Sequence, residues 1–93
     1  MKKILTWLIL GTKGGYNRAK MIKYLHDTPS NAHQLAENLN LNYRTITYHL
    51  KVLEEVNVIT SVGKKYGKTY FISDELNDNF ESFKEIWKQI KDD

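Results

Sequence analysis

A mainly α-helical α+β domain is predicted by three features of this 93-residue chain. Three successive segments repeat apolar residues at helical spacing, and the second and third are joined by a turn of about three or four residues. Two runs rich in β-branched and aromatic residues then flank a turn containing glycine and lysine. An apolar amino-terminal segment and a long carboxy-terminal helix bracket this unit. The expected parts are residues 1–13, 14–73 and 74–93.

The amino end, "MKKILTWLIL", has lysines before an apolar run from Ile4 to Leu10. That run is too short to cross a bilayer, which takes about 20 apolar residues, and no small-residue cleavage pattern follows it. A short amphipathic or buried helix is expected there, ended by "GTKGG". In the first helix of the central unit Ala19, Met21, Ile22 and Leu25 form the apolar face, and "DTPS" stops it because Pro29 disfavours helix at Thr28. Asn31 and Gln34 have the spacing of a capping box for the second helix, whose stripe is Ala32, Leu35, Ala36 and Leu39. Asn40 suits the left-handed residue that reverses the chain. Asn42 caps a third helix over residues 43–55.

That third helix, "YRTITYHLKVLEE", buries Ile46, Leu50 and Leu53 along one stripe. Arg44, Tyr48 and Lys51 lie about 200° away at 100° per residue, with Tyr43, Thr45 and Thr47 among them and no carboxylate before Glu54. Ordinary solvated faces carry interchangeable Glu, Lys and Gln. A guanidinium, hydroxyls, an aromatic and an ammonium together suit the reading of base edges. The following hairpin, residues 59–72, brings Lys64, Lys65 and Lys68 with Tyr66 to its turn, where they can meet phosphate as well as guard a strand edge.

Charge is distributed accordingly. Residues 1–72 carry a net +7 and residues 73–93 a net −4, within a total of +3. The basic part is suited to an anionic partner. Cysteine is absent, which removes disulfides, thiolate metal sites and thiol nucleophiles. His26, His33 and His49 have no histidine neighbour at helical ligand spacing, so no metal site and no cofactor are expected. His33 suits a phosphate contact, and His49 suits the core edge with one polar partner. No P-loop, nucleophile elbow or zinc-protease helix occurs, and an enzyme is not expected.

The segment "NAHQLAENLNLNYRTITYHLKVLEEVNVI", followed by the lysine-bearing hairpin and "YFIS", resembles the winged helix-turn-helix transcription regulators of the ArsR-like group, especially the short archaeal forms. The resemblance covers residues 14–73. It implies a homodimer on double-stranded DNA, with residues 43–55 in the major groove and the wing, 59–72, on the adjacent backbone or minor groove. It also implies that Tyr43, Arg44, Thr47, Tyr48 and Lys51 face bases and flanking phosphates. The family's metal ligands, paired cysteines or carboxy-terminal aspartate and histidine, are missing here, so metal sensing is not carried over. A cytoplasmic location follows from this reading. The competing reading is a winged helix used as a protein-interaction module.

In the carboxy-terminal stretch Ser73 is placed to cap a helix, and Leu76, Phe80, Phe83, Trp87 and Ile90 recur at heptad-like spacing. Such a seam can pair two subunits or fold back on its own domain. Its size favours dimerisation, with Leu5 and Leu8 of the amino segment adding to the interface.

Overall fold

The computed structural model describes residues 1–91; the last two residues of the expected 74–93 segment lie outside the described residues, as do the side chains of Tyr66 and Lys91. The order is α1 (Lys2–Leu10), α2 (Gly15–Asp27), α3 (Ala32–Leu39), α4 (Tyr43–Glu55), β1 (Ile59–Val62), a 3₁₀ turn (Lys65–Gly67), β2 (Thr69–Ile72), α5 (Asp74–Asp78) and α6 (Phe80–Lys91). This is a winged helix-turn-helix with flanking helices.

Local chemistry sets the boundaries. At the start of α3 the Gln34 backbone N–H donates to Asn31 Oδ1 at 2.8 Å and the Asn31 N–H donates to Gln34 Oε1 at 2.8 Å. Both otherwise orphaned donors are thereby satisfied. Asn40 takes φ 55° and ψ 48°, reversing the chain, and Asn42 Oδ1 accepts from the Arg44 N–H at 2.8 Å to open α4. The end of α4 turns through Asn57, another left-handed asparagine at φ 60°. The Val58 N–H then donates to the Leu53 carbonyl at 3.0 Å, the long-range bond of a Schellman closure.

The wing is an antiparallel pair with Ile59 opposite Ile72 and Val62 opposite Thr69. Its turn depends on Gly63, where φ is 109° and an added Cβ would lie 2.6 Å from the Gly67 carbonyl oxygen. The wing's base is fastened to the entry of α3, since Tyr70 N–H donates to the Ser30 carbonyl at 2.8 Å and Ser30 N–H returns to the Tyr70 carbonyl at 3.2 Å.

The expected long carboxy-terminal helix is in fact two helices. At Asn79 the backbone leaves the helical basin, with φ −114° and ψ 20°, and its side-chain amide donates to the Glu75 carbonyl at 2.8 Å. The side chain competes for a carbonyl that a continuing helix would use. Ser73 Oγ caps α5, as the sequence indicates, by accepting from the Leu76 N–H at 3.0 Å.

One core joins all the helices. Leu5, Leu8 and Ile9 of α1, Ile22 and Leu25 of α2, Leu35 of α3, Ile46, Leu50 and Leu53 of α4, and Leu76, Phe83 and Ile86 are buried in a single cluster. The expectation that Leu5, Leu8, Leu76 and Phe83 line a subunit interface is therefore corrected. Each is at most 1% exposed within its own chain, because α6 folds back on α1 and the two cover each other. Phe80, Trp87 and Ile90 are half-buried against the same cluster. The face of α1 turned outward carries Ile4, Trp7 and Leu10.

Candidate nucleic-acid interface

Helix α4 is held by its apolar stripe, which leaves its other side bare. Arg44, Tyr48 and Lys51 are exposed, Tyr48 to 58%. Thr45 and Thr47 are half-buried at the margins of this face. The Thr47 hydroxyl donates to the Arg44 carbonyl at 3.0 Å, so its oxygen lone pairs remain for an outside donor. At the amino end of α4 the Tyr43 ring stacks on His33 of α3, with centroids 4.5 Å apart and planes 22° apart. His33, expected from the sequence to meet phosphate, here packs against the first residue of α4.

Between α4 and the wing runs a furrow. One hollow of about 220 Å³ is lined by Ala32, His33, Tyr43, Thr47, Lys65, Lys68 and Tyr70. A second, of about 340 Å³, continues past Thr47, Lys51, Glu54, Glu55, Lys68 and Tyr70. Thr47, Lys68 and Tyr70 belong to both. The fold thereby brings the α4 face and two of the wing lysines, Lys65 and Lys68, onto one surface, with Lys64 exposed at the wing turn.

Tyr70 was not among the residues that sequence reasoning singled out. Burial first, then Glu54 and Tyr43, push its hydroxyl above the ordinary phenol value and further favour the neutral form. Glu54 is partly engaged elsewhere, its Oε2 accepting from Ser61 Oγ at 2.7 Å. The only advance signal for Tyr70 is the alternation of β2, which puts it on the face shared with Ile72. Sequence reasoning also missed Arg18, which α2 buries beneath α4.

Among the described residues no cluster of three or more His, Asp or Glu side chains could hold a metal ion. No helix among them is long and apolar enough to cross a membrane.

This architecture is a winged helix-turn-helix in which the α4 face and the wing share one surface. Residues 16–61 match the model of the bacterial regulatory protein arsR family, and the chain has the ArsR/MarR-like form of that fold. Reduced HlyU from Vibrio cholerae superimposes with a TM-score of 0.69 at 16% identity, covering 92% of this chain and 88% of that one. An ArsR-like transcriptional regulator from Rhodococcus sp. RHA1 gives a TM-score of 0.63 at 19% identity, covering 97% and 81%. Staphylococcus aureus MarR, solved with salicylate and kanamycin, gives 0.67 at 16% identity, covering 83% and 54%. In sequence, the chain is 30% identical over 56 residues to an uncharacterized HTH-type transcriptional regulator of Methanocaldococcus jannaschii. That match takes in 60% of this chain and spans only 14% of the relative's length.

Proposed function

We propose that this protein is a transcription regulator that binds double-stranded DNA sequence-specifically, without catalysis. Helix α4 enters the major groove and the wing lies on the adjacent backbone or minor groove. The observation that carries the reading is the exposed face of α4, with no carboxylate before Glu54, set beside a furrow lined in part by Lys65 and Lys68 of the wing. Arg44 reads a base edge; Tyr43, Thr45, Thr47 and Tyr48 add base or sugar contacts; Lys51, Lys64, Lys65 and Lys68 neutralise phosphate. Selection of bound duplexes from a random DNA pool tests this directly. Enrichment of a defined sequence is expected, and failure to enrich any duplex would favour the protein-interaction module instead.

The protein acts as a homodimer in this reading, because two recognition helices must meet successive major-groove faces about 34 Å apart. The surface that supports pairing is the outer side of α1, where Trp7 is 57%, Leu10 44% and Ile4 37% exposed. Apolar side chains grouped on one helix face mark an interaction surface. Sedimentation over a range of concentrations distinguishes a dimer from a monomer.

A further inference from the structure

Arg18 of α2 is 5% exposed and His49 of α4 is 5% exposed. The guanidinium donates from Nε to His49 Nδ1 at 3.2 Å, and from Nη1 to the Leu8 carbonyl at 3.3 Å and to Thr12 Oγ1 at 3.1 Å. Leu8 lies in the last turn of α1, whose carbonyls have no partner within the helix and attract a cation. Thr12 Oγ1 in turn donates to the same Leu8 carbonyl at 2.9 Å. One buried arginine therefore ties the end of α1 to the core side of the recognition helix. The chain of contacts continues outward, because the His49 ring meets the Tyr48 ring edge-on, with centroids 5.5 Å apart and planes at 60°.

Resting on the DNA-binding reading above, we propose that Arg18 is a positioning residue for the DNA face: through a neutral His49 it sets Tyr48, and acid undoes the arrangement. Nδ1 accepts from Arg18, so the proton of the neutral ring sits on Nε2. A second proton would turn Nδ1 into a donor facing the Nε–H of a guanidinium 3.2 Å away. Among the described residues no carboxylate forms an ion pair with Arg18, so only neutral dipoles, the Leu8 carbonyl and the Thr12 hydroxyl, meet its charge, and a second buried cation beside it would go unpaired. Among the described residues, Arg18 from α2 and Tyr48 from α4 itself are the charged or titratable groups that face the ring; Gly14 of the loop after α1 also meets it, while the Leu8 carbonyl and Thr12 meet Arg18, and these three are uncharged. Burial first, and Arg18 second, hold the His49 pKa below the ordinary value of 6.5. The ring also has no slack toward the loop, since a Cβ on Gly14 would come within 2.6 Å of its Cε1. A protonated ring must swing away from Arg18, and Tyr48 moves with it.

Two measurements test this. In the protein alone, NMR titration follows the His49 and Tyr48 ring resonances from neutral to mildly acid pH. A common midpoint is expected, and a higher His49 midpoint in Arg18→Gln; Tyr48 resonances that ignore the His49 midpoint overturn the proposal. On a selected duplex, affinities of wild type and His49→Asn are each normalised to neutral pH. One unit below the folded midpoint about one-tenth of the rings stay neutral, so wild type should lose about tenfold relative to His49→Asn. Identical pH profiles overturn the proposal. A protein that binds no duplex at neutral pH refutes the DNA-binding reading, while the Tyr48 titration still decides the role of Arg18.

Discussion

Arg44 is the residue on which base reading is expected to depend most. It stands in the first turn of α4, exposed, with its backbone N–H already held by Asn42, so its side chain is free for a bidentate contact to guanine. Arg44→Ala should lower affinity for the selected duplex by about 1 to 3 kcal/mol while changing random-DNA binding much less. Equal reductions, measured by titration on both DNAs, would make it a phosphate contact. His49 gives a second expectation at this scale. Its folded pKa lies below 6.5, so the unfolded chain takes up protons first as pH falls. The stabilisation is complete above about pH 6.5 and is lost as pH falls through the lower folded value. Thermal melts across that window should show falling stability in wild type and a flatter slope in His49→Asn.

At the scale of elements, the wing and the carboxy-terminal helices behave differently. Lys64, Lys65 and Lys68 sit on a hairpin whose fold rests on Gly63, the β1–β2 register and the Ser30–Tyr70 bridge. Replacing all three with Ala should leave the circular dichroism unchanged and reduce the slope of log affinity against log salt by roughly 0.9 for each phosphate no longer neutralised. An unchanged slope would leave the lysines as guards of a strand edge. The α5–α6 break was hidden in the sequence because Leu76, Phe80, Phe83, Trp87 and Ile90 keep heptad-like spacing straight through Asn79. Apolar period records which side chains seek cover. It does not record that an asparagine spends its amide on the Glu75 carbonyl.

For the whole molecule, burial separates stability from assembly. Phe83 is 1% exposed inside one chain, so Phe83→Ala should cost about 3 to 5 kcal/mol of folding stability, at every protein concentration. Trp7 and Leu10 face outward; replacing both with Ser should shift sedimentation toward monomer and weaken operator binding while leaving the intrachain core intact. A double variant that sediments as wild type would remove the outer face of α1 from the interface.

Local and periodic features were determined by the sequence itself: the Asn31–Gln34 box, the reversal at Asn40, the caps at Asn42 and Ser73, and the split of α4 into an apolar stripe and a basic, hydroxyl-bearing face. Each depends on residues a few positions apart, within reach of a single turn of chain. Tertiary structure alone decided that α6 closes on α1 rather than on another subunit, that Tyr70 and Lys68 share a furrow with Thr47, and that Arg18 meets His49 thirty-one residues away. An arginine three residues into a helix reads locally as a surface charge. Only when α1, α2 and α4 are packed does burial remove its water and leave a carbonyl, a hydroxyl and an imidazole nitrogen as its partners.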